Sequence, residues 1–216
     1  MSDPGPNRPR IIAVDGPTAS GKGTIAQALA SHFGLPHLDT GLLYRAVGWH
    51  CRSRGGNPDD PADALAATRF PDALLADPAL RREETGGLAS RVSLHPAVRQ
   101  ALFERQRAFA LQPGGAVLDG RDIGTVIAPE APAKLFVTAS VAARAQRRFL
   151  EMQARGEPVS LAAIEADLAE RDRRDRSRST APLVAAPDAV VLDTSDLSRD
   201  EAIAAAIALV ELKLAG

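Results

Sequence analysis

The sequence predicts an α/β fold, a parallel sheet with helices on both of its faces. Three observations carry that expectation. Five short apolar runs, each closed by turn residues, alternate with segments of helical character. All but the second of these runs are continuously apolar rather than alternating, which is how strands covered on both faces read. Strands that alternate with helices build a parallel sheet, and 216 residues at 45% hydrophobic content are enough to bury its core.

Taken in order, RIIAVDG (Arg10–Gly16) is the first strand, an apolar run ending in Asp-Gly. Gly21 to about Phe33 reads as a helix, stopped near Gly34. LPHLDTG holds a second short strand, and LLYRAVGWHCRSR after it is helical as far as Gly55-Gly56. GAVLDGRD, AKLFVTA and DAVVLDTS are the remaining three strands. Helices are expected at about Pro96–Leu111, Val141–Arg155 and Ser198–Leu214. Two stretches break the alternation: Gly55 to Arg91, opening with GGNPDDPAD, and Arg155 to Pro182, opening with RGEPVS. Both read as insertions over the sheet. The expected organisation is one domain. Its core is about 10–54, 96–154 and 183–216, with one insert at about 55–95 and another at about 155–182.

Composition narrows the function. A net charge of −1 argues against a protein that coats nucleic acid. No apolar run reaches the roughly 18 residues of a membrane helix. MSDPGPNRPR has no apolar signal core and reads as a short disordered leader. Cys51 is the only cysteine, so no internal disulfide forms, in keeping with a cytoplasmic setting. Positive charge is nearly all arginine, bunched at Arg144, Arg147 and Arg148 and again from Arg171 to Arg178. Such forks suit phosphate oxygens.

DGPTASGKGT (Asp15–Thr24) carries the clearest chemistry. Gly16, four residues and then Gly21-Lys22 lie between a strand and a helix, the context a phosphate-binding loop requires. In such a loop, made here of Gly16, Pro17, Thr18, Ala19, Ser20 and Gly21, the glycines let backbone N–H groups turn inward around phosphate oxygens, and the new helix points its positive end at the same place. Lys22 supplies a full charge to the β- and γ-phosphates of ATP. Gly23 stands where Ser or Thr usually binds Mg²⁺. The metal is therefore expected to sit mainly on phosphates and water, with Thr24 bonding a phosphate oxygen.

Three further stretches point to the phosphate acceptor. In DTGLLYR, Thr40 and Arg45 flank a helix start where an anion can sit, although a capping threonine and a solvated arginine would read alike. LDGRDIGTV ends a strand in Asp119 and then sets Arg121 beside Asp122, at the sheet edge where ligands bind. Asp119 is a candidate to orient Mg²⁺-bound water, Arg121 to grip phosphate, and Asp122 to accept from an amino group. In SLAAIEADLAERDRRDRSRS, Leu161, Ile164 and Leu168 form one helix stripe that continues into Arg171, Asp175 and Arg178. An apolar face that turns charged without changing direction faces something polar. Arg174 lies beside it, and Arg173 and Arg176 point to solvent. His32, His37, His50 and His95 lack metal-ligand spacing. For Arg144 and Arg148, contact with ATP and a solvated face remain alternatives.

These parts resemble the bacterial cytidylate kinases of type 1. DGPTASGKGT, LDTGLLYR, LASRVSLHPAVRQALFERQRAF, LDGRDIGTV, ERDRRDRSRSTAPL and VVLDTS follow the family's order across most of residues 10–195. The resemblance implies the three-layer fold of the P-loop NTPases, with a nucleotide-binding flap at the first insert and a lid at the second. It implies transfer of the γ-phosphoryl group of ATP to CMP or dCMP, with Mg²⁺. Thr40, Arg45, Ser90, Arg99, Arg121, Asp122, Arg171, Asp175 and Arg178 match the family's acceptor-binding positions. By resemblance, Ser90, Arg99 and Asp122 read cytosine; Arg45, Arg121 and Arg178 face phosphate; Asp175 contacts ribose, steadied by Arg171. The partners implied are small nucleotides, with neither a nucleic-acid polymer nor a membrane, and the chain is implied to be a monomer. Two departures stand out. Thr40 replaces a frequent serine, and the first insert lacks a strand-rich portion, so a smaller or more helical flap is expected.

A phosphate acceptor needs no general base, so Lys22, Arg121, Arg174 and Arg178 are expected to act by positioning and charge compensation. A kinase for another nucleotide or for shikimate, and a nucleotide-dependent RNA-binding module, are the competing readings. Replacing Lys22 with Ala is expected to cut turnover severely while the circular dichroism spectrum stays native. An active Lys22→Ala enzyme would remove this lysine from the chemistry.

Overall fold

The computed structural model describes residues 9–215, apart from the side chain of Glu83. Of the leader read over MSDPGPNRPR, residues 1–8 lie outside them, and Arg10 opens the first strand. Five strands form one sheet: β1 (Arg10–Asp15), β2 (His37–Asp39), β3 (Gly115–Gly120), β4 (Ala133–Thr138) and β5 (Val190–Asp193). Their spatial order is β2-β3-β1-β4-β5, so β1 lies at the centre. β1 runs parallel to β3 and to β4, and β4 runs parallel to β5. The five apolar runs of the sequence are therefore the five strands.

The central strand shows why those runs are continuous. Ile12 and Val14 join one apolar cluster with Val117, Leu135 and Val137, while Ile11 and Ala13, pointing the other way along the pleat, are also buried. Helices α1 (Lys22–Phe33) and α8 (Arg199–Ala215) complete the first cluster through Ile25, Leu29, Ala202, Ala206 and Val210. Leu29 is fully buried there, and trimming such a leucine to alanine costs about 2–5 kcal/mol. α1 ends at Gly34, whose left-handed backbone closes the helix.

The contacts of the chain separate it into two compact units. One takes the chain up to Leu38 together with everything from Ala110 onward, and contains the sheet core just described. It also contains α6 (Val141–Ala154) and α7 (Leu161–Ser177), which pack through Ala145, Met152, Ile164 and Leu168. The second insert of the sequence is thus mainly one helix, capped by Ser160 and set against α6.

The other unit is Asp39–Phe109, wider than the insert read at about 55–95 because it includes the helices on either side. It is made of α2 (Thr40–Ser53), α3 (Pro61–Ala66), two short 3-10 turns (Asp72–Ala76 and Pro78–Arg81), α4 (Glu83–Val92) and α5 (Pro96–Ala110). None of its described residues after Asp39 forms a strand, which agrees with the helical flap expected. Local polar contacts fold it. Asp39 caps α2 through the Leu42 N–H, and Asp60 caps α3 through Ala62 and Asp63. Arg91 closes the GGNPDD turn by a two-pronged bond to Asp59 (2.7 and 2.5 Å).

Helices α2 and α4 meet at Gly48, where an added Cβ would lie 2.7 Å from the Leu88 Cβ and 2.9 Å from backbone. Gly48→Ala is therefore expected to destabilise this unit by about 1–3 kcal/mol, as overpacking does. Gly87→Ala, on α4 with open space around it, is expected to stabilise by up to about 1 kcal/mol. Urea midpoints that move in the same direction for both would refute the tight helix crossing.

Candidate nucleotide site

Strand β1 ends in Asp15, and the chain then turns through residues 16–21 into α1. Gly16 passes so close to the next strand that an added Cβ would lie 2.0 Å from the Val137 carbonyl oxygen, so no other residue fits. Ala19 takes a left-handed conformation (φ 61°), unusual for a residue with a side chain. Gly21 precedes α1 without any side-chain cap, and no acidic residue occupies the first turn. The positive end of α1 is therefore left for an external anion. Lys22 rests on the Pro17 carbonyl (3.3 Å), Gly23 is half-buried and Thr24 is exposed in the same turn. The Ser20 hydroxyl oxygen is buried with no protein partner. Such an atom in a phosphate loop fits a bound oxygen ligand.

Strand β3 delivers the second group. Asp119 is buried at its end, and the His37 Nε2 donates to its Oδ2 at 2.7 Å. Arg121, just beyond, makes the most informative contacts. Its Nη2 donates to the Thr18 hydroxyl of the loop (2.6 Å), and its Nε donates to Asp175 Oδ2 on α7 (2.9 Å). Asp175 also has Arg178 at 3.8 Å and feels the charge of Arg171. Burial pushes its carboxyl up, but Arg121, Arg178 and Arg171 outweigh that and hold it below the usual carboxylate range. Three sequence-predicted arginines and their aspartate are therefore together, beside the phosphate loop. Arg174 is at 3.5 Å from Glu170 on the same helix. As the helix stripe predicted, Arg171 and Asp175 are buried, while Arg173 and Arg176 are exposed.

Asp122 is buried where a π-helical turn (Ile123–Ile127) begins. That turn is fastened by Asp15, whose two carboxylate oxygens accept from the Ile123 and Gly124 N–H groups, both at 2.8 Å. Burial nevertheless pushes Asp15 up to about 7, with Asp122 adding to the shift and the two backbone bonds and Lys22 opposing it.

The remaining predicted residues belong to the other unit. Thr40 is buried in the first turn of α2. Arg45 donates to the Leu80 and Arg82 carbonyls (2.9 and 3.0 Å), which ties α2 to the second 3-10 turn. Arg99 of α5 is buried with its guanidinium 5.7 Å from the Tyr44 ring centre. Ser90 lies on α4, half-buried, and its carbonyl accepts from Ser93.

Sequence reasoning missed the partners of these groups. Asp172 is buried against Arg144, so that arginine is not on a solvated face, and its fork is occupied by protein. Arg148 is half-buried, and its guanidinium pairs with Glu151. Arg147 donates to Thr194, which ties α6 to the end of β5. Asp172 was recoverable, since it follows Leu168 by four residues and shares its face.

A parallel sheet whose central strand feeds a glycine loop onto a helix opening with lysine defines a P-loop nucleotide-binding protein. The sequence pattern of one such family, described as cytidylate kinase, matches residues 12–212. A cytidylate kinase of Xanthobacter autotrophicus (strain ATCC BAA-1158 / Py2) is 56% identical over 206 residues, spanning 95% of this chain and 99% of that protein. One from Rhodopseudomonas palustris (strain HaA2) is 54% identical over 207 residues, spanning 95% and 98%. The chain belongs to the cytidylate kinase family. Among solved structures, an uncharacterized protein from Eubacterium ventriosum ATCC 27560 superposes with a TM-score of 0.54 over 93% of this chain and 98% of its own. At 15% identity, that likeness speaks for the fold alone.

The buried Asp15 carboxyl makes stability depend on pH with a definite sign. Its folded value of about 7 lies above the ordinary 3.8, so the folded state holds the extra proton between those limits. The unfolding free energy of the wild type minus that of Asp15→Asn is expected to fall as pH rises from about 4 to about 7, and to level off above. Urea titrations of both proteins across this range measure it. A difference independent of pH would mean that Asp15 titrates normally.

Proposed function

We propose that the chain is an ATP-dependent cytidylate kinase, which moves the γ-phosphoryl group of ATP to CMP or dCMP and yields ADP with CDP or dCDP. The observation that carries this reading is Arg121, bonded at once to the phosphate loop through Thr18 and to the arginine-rich face of α7 through Asp175. That link between the loop and the arginine-bearing helix, in a chain of the cytidylate kinase family, supports the reading.

In this reading residues Gly16 to Thr24 hold the ATP phosphates, with Lys22 as their charged partner. Arg121 and Arg178 meet the CMP phosphate, Arg174 adds charge compensation, and Arg171 and Asp175 serve the ribose. Asp122, with Ser90 and Arg99, reads the cytosine, and Thr40 and Arg45 also serve CMP. The acceptor phosphate, with a second pKa near 6, is already largely dianionic at pH 7. No residue has to remove a proton; the task is to hold two polyanions in line. A guanidinium already in place against its acid partners costs little to reorganise when charge develops.

Among the described residues no cluster of three metal-ligating side chains exists. The buried, unpartnered Ser20 hydroxyl and the Asp119 carboxylate are hard oxygen donors of the kind that suit Mg²⁺, which would be carried largely by nucleotide phosphates and water, with Thr24 bonding a phosphate oxygen. Asp119 would orient that water, and the ion would supply charge neutralisation to the phosphates. The segment Arg155–Pro182 would close as a lid over ATP. No described helix is long and apolar enough to cross a membrane. Action as a cytoplasmic monomer on small nucleotides, with no nucleic-acid polymer as partner, completes the proposal.

ADP release from Mg-ATP with CMP, dCMP, UMP, AMP or shikimate offered separately tests it. CMP or dCMP should be turned over well above the rest. A different preferred acceptor would keep the phosphate loop and overturn the base-reading residues. Asp122→Ala should weaken CMP more than UMP, and equal loss with both would take Asp122 out of base recognition.

A further inference from the structure

Thr18 is gripped twice. Its hydroxyl accepts from Arg121 Nη2, as described, and its carbonyl accepts from Arg144 Nη1 at 3.0 Å. Each arginine then reaches α7. Arg121 ends on Asp175, and Arg144 ends on Asp172 with both prongs of its fork, at 3.1 and 2.5 Å. Asp172 and Asp175 are three residues apart and so lie on one face of the helix. The two bridges therefore run side by side from one residue of the loop to one face of α7.

The bridges differ in exposure. The Arg121 side chain is 22% exposed, whereas that of Arg144 is 2% exposed and that of Asp172 is 9% exposed. Arg144 also bonds the Ala139 carbonyl through Nε at 3.0 Å, which locks the guanidinium to the end of β4. Its fork is filled by protein on each side. The adjoining residue, Ala19, holds its left-handed turn while packing on the cluster that contains Ile164 and Leu168 of α7.

We propose that Arg144 and Asp172 are a positioning pair for the phosphotransfer. They fix the phosphate loop against α7, so that Thr18 and the arginine face carrying Arg171, Arg174 and Arg178 keep one spacing as Arg121 meets the substrate phosphate. The pair touches no nucleotide itself. The inference rests on the reading of Arg121 and Arg178 as acceptor arginines. Stability alone does not account for such a pair, because a buried ion pair is often replaceable by apolar residues without loss. Its geometric content is what a substitute would lack. A lysine at 144 would keep the charge facing Asp172, but a single ammonium cannot reproduce the planar fork that reaches Asp172, Thr18 and Ala139 together.

The experiment compares wild type, Arg144→Lys, the double variant Arg144→Met/Asp172→Leu, and Arg121→Ala. For each, kcat and both KM values are measured, with Tm and amide hydrogen exchange of peptides covering the loop and α7. The lysine variant is expected to lose tenfold or more in kcat, to raise KM for ATP and CMP together, and to exchange faster in the loop and α7 but not in β1. Should its Tm also drop, the double variant decides. It is expected to regain the Tm while keeping the kinetic loss. Wild-type kcat and KM in either variant would overturn the proposal. If Arg121→Ala loses turnover while both Arg144 variants keep it, the acceptor reading stands and the positioning pair falls. If Arg121→Ala keeps full turnover, the acceptor reading falls instead, and faster loop exchange in Arg144→Lys still tests whether the pair holds the loop.

Discussion

Several guanidinium groups have to be gathered beside a phosphate loop before any phosphate arrives, and like charges resist that. Acids resolve the conflict. Asp175 sits among Arg121, Arg171 and Arg178, and Asp172 fills the fork of Arg144. Each carboxylate offsets repulsion among arginines and sets the direction in which a fork points. Both acids come from one helix, and its apolar residues Ile164 and Leu168 anchor the same face on α6. A single helix face therefore does the packing at one end and holds the charges at the other.

The sheet supplies the place where these groups meet. Because β1 lies between β3 and β4, its carboxyl end carries the loop, while β3 next to it carries Asp119 and Arg121. On its other side β4 brings the Val137 carbonyl against Gly16 and the Ala139 carbonyl to Arg144. Asp15 then staples the end of β1 to the turn after Arg121 and Asp122. Ligands in open parallel sheets bind at this edge, and here three neighbouring strands are cross-linked at it by hydrogen bonds rather than by apolar contact.

Much of this could be read from the chain. Four of the strands follow apolar runs that are short, unbroken and bounded by turn residues, while β2 comes from the shorter, mixed LPHLDTG. The α7 stripe predicted the inward face from Leu161 to Asp175, since helical period alone decides it. What stayed hidden were relations across distance. Nothing near Arg144 in sequence names Asp172 as its partner 28 positions away, or Thr18 at 126. The grouping of α2 and α5 with the first insert was also illegible. It depends on contacts such as Gly48 with Leu88 and Arg99 with Tyr44, and side-chain packing between separate helices leaves no mark on local pattern. The π-helical turn at Ile123–Ile127 was missed for a related reason. It is held open by Asp15, more than a hundred residues earlier.

The titration of the two acids nearest the loop argues for chemistry without a base. A carboxyl with a pKa near 7 is what a general base at neutral pH would need, and Asp15 has that value. Yet it is buried, and both of its oxygens accept from backbone N–H groups inside the protein, so its place is that of a structural staple. Asp175 lies among Arg121, Arg178 and Arg171, and they hold it below the ordinary range, which makes it a poor proton acceptor. A strongly shifted acid often marks a catalytic residue. Here the shift comes from burial of a structural staple, and the acid beside the arginines is tuned to stay ionised. Each of these acids is set to fix a position. That is the arrangement a phosphate acceptor calls for, because its attacking oxygen arrives without a proton to lose.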